Sequence, residues 1–101
     1  MGGRRRLRSA KEVELLTRGL GERGLIQVLR KLCLAYHVTL DDVLLGHAQT
    51  GVVRARDASA FLLLNRGLSS NEVGRLLGMD HTSILACRVR HEKRGVGHGI
   101  S

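Results

Sequence analysis

Apolar residues recur at three- and four-residue intervals between positions 25 and 36. Leu25, Val28, Leu29, Leu32, Cys33 and Tyr36 fall on one stripe, with Arg30 and Lys31 off it. That period belongs to an amphipathic helix and not to a strand. The residues left over agree with it. The chain has 101 residues and no proline or tryptophan, and its only aromatic residues are Tyr36 and Phe61. Strand-rich sandwiches and barrels fill their pleated faces with aromatic and β-branched side chains, which are scarce here. Leu and Ala, both good helix formers, dominate instead. Hydrophobic residues make up 43% of the chain, too many for general disorder and enough for one modest core.

Further helices follow from local signals. Ser9-Ala10-Lys11-Glu12 is a capping box that opens a first helix with Val13, Leu16 and Leu20 on one face. Gly19, Gly21 and Gly24 are expected to break it. Thr39 caps a short helix carrying Leu40, Val43 and Leu44, with Asp41 and Asp42 in its first turn, where the helix dipole favours negative charge. Residues 46–51 read as a loop. A longer helix spans about Val52 to Asn65, with Val53, Ala58, Phe61, Leu62 and Leu64 as its apolar surface and Gly67 as its stop. Ser69 or Ser70 opens the next helix. Gly78 and Met79 make a tight turn, and Asp80 caps a last helix with Ile84, Leu85 and Val89. The expectation is an all-α chain of five or six helices, a helix-turn-helix within a bundle. Residues 1–8 are expected to form a basic flexible arm, 9–94 a helical domain with the helix-turn-helix at about 70–90, and 95–101 a flexible tail.

The segment from Ser70 onward meets the steric demands of a helix-turn-helix. Two steeply crossed helices need a small residue where they approach, supplied by Gly74, and a turn residue tolerant of positive φ, supplied by Gly78. Val73, Leu77, Met79, Ile84 and Cys87 supply the apolar lock. The second helix of such a motif meets base edges with its N-terminal side chains, here Asp80, His81, Thr82 and Ser83. Thr82 also offers a methyl to thymine, and Asp80 an acceptor to the cytosine amino group. Asp80 has an ordinary N-cap role as well.

Asp80-His81-Thr82-Ser83-Ile84-Leu85 resembles the Asp-His-Thr-Thr-Val-Leu signature of the C-terminal domain of DnaA, the bacterial replication initiator. Glu72-Val73-Gly74 with Leu77-Gly78 resembles that family's Glu-Ile-Gly…Phe-Gly stretch. Val53-Arg54-Ala55-Arg56 with Ala58 is similar to the start of its middle helix, and residues 36–44 to its Tyr-x-Val-Ser-x-Glu-Asp-Leu-Leu segment. These motifs occur in the family's order and span roughly residues 25–90, about two-thirds of the chain. The resemblance implies duplex-DNA binding, with Asp80, His81, Thr82 and Ser83 reading bases. It implies phosphate contacts from Arg54 and Arg56, and DNA contact from Ser70 and Asn71 in the first turn of the scanning helix. The chain departs from the family at Gly46-His47-Ala48, which replace a basic loop, and at Ala86, which replaces a histidine. The arginines at positions 4–8 are a candidate substitute for the lost minor-groove contact.

Charge points to the same partner. Lys and Arg number 17 against 9 Asp and Glu, a formal charge of +8. From Arg54 to Arg94, Arg54, Arg56, Arg66, Arg75, Arg88, Arg90, Lys93 and Arg94 are opposed by Asp57, Glu72, Asp80 and Glu92. Arg88 and Arg90 are placed to flank a groove and release counterions from its phosphates.

Other chemistry is sparse. No P-loop pattern, nucleophile–base pair or paired carboxylate stands out, so no enzyme activity and no cofactor are expected. Cys87 and His91 stand four apart, but a metal site would have to recruit His81 and His98; none is expected. Cys33 and Cys87 lack C-x-x-C spacing and read as reduced, buried thiols in a cytoplasmic, nucleoid-associated protein of a bacterium or phage. No apolar run reaches the length of a membrane span, and no signal core follows the basic N-terminus. The chain is either a stand-alone binder or a fragment, and its start at Met1 favours the former. The competing expectation is a module of the same fold that binds a protein and not DNA, or a homodimer formed through Val13, Leu16 and Leu20 of the first helix.

Overall fold

Short polar caps set where the helices begin. The Ser9 hydroxyl accepts the Glu12 amide at 3.2 Å, and the Glu12 carboxylate accepts the Ser9 amide at 2.7 Å. Thr39 with Asp42, and Ser69 with Glu72, repeat this reciprocal pairing. Each box satisfies two of the four amides that a helix start leaves open. The computed structural model describes residues 7–99, with side chains through residue 95. Among the described residues there are six helices and no strand: α1 (Ala10–Glu22), α2 (Ile26–Ala35), α3 (Leu40–Leu45), α4 (Thr50–Asn65), α5 (Ser70–Leu77) and α6 (His81–Gly99). The chain is all-α.

It divides into two units, residues 1–55 and 56–101, and the division falls inside α4 between Ala55 and Arg56. In the first unit α1, α2 and α3 are in mutual contact. Its buried residues are Val13 and Leu20 of α1, Leu29 and Cys33 of α2, Leu40, Val43 and Leu44 of α3, and Val52 and Ala55 of α4, together with Leu25. In the second unit α5 packs on α6. Ala58, Ala60, Leu63, Val73, Leu76, Leu77, Ile84 and Cys87 are buried there.

Four boundaries or faces differ from the sequence expectation. The helix α1 runs through Gly19 and Gly21 and ends only at Arg23, with Gly24 taking φ +69°. A glycine inside a helix costs only about 1 kcal/mol, and burial of Val13 and Leu20 outweighs that. Of the stripe expected as a partner surface, Val13 and Leu20 are buried and Leu16 is half-buried. Next, Arg8 does not belong to a solvated arm. Its amide donates to the Leu45 carbonyl at 2.9 Å and its Nη1 to the Leu44 carbonyl at 2.7 Å. It thereby satisfies carbonyls at the C-terminal end of α3, where a cation also suits the dipole. Leu7 of the expected arm is exposed, and residues 1–6 lie outside the described residues. The apolar face of α4 also differs. Its continuously buried run is Ala55 to Ala60, small residues together with Arg56 and Asp57, whereas Val53, Phe61, Leu62 and Leu64 are only half-buried. A helix buried on most sides shows no clean amphipathic stripe. Finally, α6 continues past residue 94 and ends at Gly99, inside the expected tail.

Candidate nucleic-acid interface

The second unit carries most of the residues expected to contact DNA. The Gly78 amide donates to the Gly74 carbonyl as α5 ends, and Gly78 takes φ +75°, ψ +34°. That left-handed conformation suits glycine and reverses the chain. The Met79 amide also donates to the Gly74 carbonyl, at 2.8 Å. A Cβ added at Gly74 would run into the Met79 carbonyl oxygen, with the Met79 and Asp80 carbonyl carbons at 3.4 and 3.5 Å. Gly74 thus admits the backbone of the turn against α5. Val73 and Ile84 are fully buried and Leu77 nearly so, and they join the two helices.

Asp80 opens α6. Its Oδ1 accepts the Ser83 amide at 2.8 Å, and its carbonyl accepts the Ile84 amide at 3.1 Å. The Ser83 amide, then the Ser83 hydroxyl, hold the Asp80 carboxyl below its usual pKa. The side chain remains exposed while it caps. His81 and Thr82 are exposed and Ser83 is half-buried in the first turn. On α5, Asn71 is exposed and Ser70 half-buried. The expected readers Asp80, His81, Thr82 and Ser83 therefore share one helix start, with the first turn of α5 in the same unit. Further along α6, Ile84, Cys87, His91 and Arg94 turn inward. Thr82, Leu85, Ala86 and Val89 are exposed, Leu85 to 38% and Val89 to 44%.

The basic residues separate into two groups. Arg88 is exposed on α6, as are Arg66, Arg75 and Lys93 in the same unit. Arg54 is exposed on the part of α4 that belongs to the first unit. Arg56, expected to touch phosphate, is only 5% exposed; its place in the buried run of α4 removes it from such a contact. Arg90, expected to flank a groove, is engaged elsewhere. Its Nε and Nη2 donate to both oxygens of Asp57 at 3.1 and 3.0 Å, and Nη2 also reaches Cys87 Sγ at 3.5 Å. Arg94 Nη2 donates to the same carboxylate at 2.8 Å. Asp57 is fully buried. Burial raises its pKa, but the hydrogen bonds from Arg90 and Arg94 outweigh that and hold the carboxyl below its usual value. Sequence reasoning missed this cluster. The available signal was the spacing of Arg90 and Arg94, one turn apart and following Cys87 on the inward face.

Both thiols are shielded. Burial, followed by a hydrogen bond to Asp57, pushes Cys87 up to about 11, and burial does the same to Cys33. Neither is a nucleophile at neutral pH. His91 stacks on Phe61 with ring centroids 4.6 Å apart. Among the described residues no three His, Cys, Asp or Glu side chains gather as a metal site; His98, the other recruit weighed, has its side chain outside them. No described helix is long and apolar enough to cross a membrane. Comparisons of the chain with protein-family models, curated proteins and solved structures find no match.

Proposed function

We propose that this chain is a sequence-specific duplex-DNA-binding protein that uses α5 and α6 as a helix-turn-helix. The observation that carries the reading is the turn at Gly74, Gly78 and Met79, followed at once by the exposed polar start of α6. In such motifs the second helix enters the major groove with its first turn toward base edges. Asp80, His81, Thr82 and Ser83 take that role, and Ser70 and Asn71 contact the backbone from the start of α5. Arg88 and Arg75 neutralise phosphates under the same reading. The resemblance of residues 80–85 to the DnaA signature supports the assignment. Control of transcription or of replication initiation, in a nucleoid-associated setting, is the corresponding role.

Selection of a random duplex library on the purified chain tests this. The expected result is an enriched motif bound more tightly than scrambled DNA at 150–200 mM salt, roughly where non-specific contacts weaken. Salt-sensitive binding with no motif would remove base reading. A protein partner would then be the reading to pursue.

A further inference from the structure

Asp57, buried on α4, faces two arginines of the proposed recognition helix α6. Arg90 meets it in a bidentate pair, and Arg94 adds a third bond to the same carboxylate. The carboxylate is at 0% exposure, whereas the Arg90 side chain is 47% exposed and that of Arg94 29%. Nη1 of Arg94 is buried with no hydrogen-bond partner. For the Nε–Nη2 edge of Arg90, or Nη2 of Arg94, to turn to a phosphate, charge-assisted bonds already in good geometry would have to break, leaving a buried charge less compensated.

Cations that touch phosphates raise affinity for every sequence alike, while base contacts discriminate. Two more arginines on the groove-facing helix would therefore favour sequence-independent binding. We propose that Asp57 is a specificity-determining residue: it withholds Arg90 and Arg94 from the phosphate backbone and so keeps non-specific affinity low. This rests on the reading that α6 binds duplex DNA. Exposed Arg88, between Cys87 and the withheld pair, remains a phosphate contact.

The test is the salt dependence of binding to a scrambled duplex, measured by fluorescence anisotropy on the full chain. Each added phosphate contact steepens the slope of log K against log salt by about 0.9. Asp57→Asn is expected to bind scrambled DNA more tightly, with a slope steeper by about 1–2, one or two phosphate contacts, and to lose preference for the selected motif. Arg90→Gln and Arg94→Gln, each of which leaves Asp57 one arginine partner, are expected to keep the parent slope. If either single variant loses about 0.9 from the slope, that arginine already contacts phosphate and the proposal is overturned. An unchanged slope in folded Asp57→Asn overturns it too. Should Asp57→Asn fail to fold, as judged by circular dichroism, the two arginine variants decide. A parent that binds DNA without any motif loses the base-reading role, yet the slopes still decide whether arginines are withheld. A parent that binds no DNA overturns both.

Discussion

A carboxylate with no solvent contact persists as an anion only where its neighbours replace water. Asp57 does so through three N–H donors from Arg90 and Arg94, and its pKa falls below the ordinary value although burial alone would raise it. The folded state therefore binds fewer protons at this site than the unfolded chain. Its contribution to stability is complete above the unfolded value of about 3.9 and is lost as pH falls through the lower folded value. Urea unfolding of the parent should show stability declining below about pH 4, the ordinary aspartate range. Asp57→Asn should flatten that decline and lower stability at pH 7 by about 2–3 kcal/mol, less than the roughly 3–5 of a fully buried pair because Arg90 stays half in water. The flattening is partial, since Asp80 is also held below its usual pKa by the Ser83 amide. Only the one-turn spacing of Arg90 and Arg94 was legible in the sequence, not their partner. Asp57 and its partners are 33 and 37 residues apart, and a basic stretch with an isolated acid looks the same whether the acid is solvated or buried.

At the scale of elements, what the sequence specifies depends on how local the signal is. The three capping boxes and the glycine turn involve residues within a few positions of one another, so Ser9, Thr39, Gly74 and Gly78 announce their roles directly. The inward face of α4 is decided by what surrounds the helix, and its small residues Ala55, Ala58 and Ala60 carry no visible stripe. Gly19 and Gly21 mislead in the same way: their cost in a helix is smaller than the burial that keeps α1 continuous. Gly74 and Gly95 separate a steric glycine from an incidental one. Gly74 faces the backbone carbonyl of Met79, a residue whose amide is tied to the Gly74 carbonyl, whereas a Cβ on Gly95 of α6 would meet nothing within 4 Å. Gly74→Ala should cost about 2–3 kcal/mol, since the obstructing atom cannot swing aside. Gly95→Ala should be neutral or stabilise by up to about 1 kcal/mol. Thermal melts followed by circular dichroism would report both, and equal effects from the two would contradict the close approach at the turn.

For the whole molecule, the net charge of +8 is a poor guide to where a ligand sits, because it sums cations in different states. Arg56 is buried, Arg8 is bound to carbonyls of α3, and Arg90 and Arg94 share Asp57. Arg66, Arg75, Arg88 and Lys93 are the exposed cations that remain in the second unit, and under the proposed reading they supply the sequence-independent attraction for a duplex. The helical class was readable from composition and period, and the candidate reading turn from one contiguous stretch. The division of cations into free and engaged was not, since it depends on contacts between distant segments. A two-variant comparison follows from that division. His81 is an exposed imidazole at the start of α6. His81→Ala should weaken binding to the selected motif by about 1–3 kcal/mol and leave scrambled DNA nearly untouched. Arg88→Ala should weaken both duplexes alike and reduce the salt slope by about 0.9. The two substitutions lie seven residues apart on one helix, so a general loosening of α6 would move them together. Anisotropy titrations of both duplexes across salt would separate the cases. Parallel losses in the two variants would mean that α6 contributes charge and not sequence reading, because only a base contact can tell one duplex from another of equal length and charge.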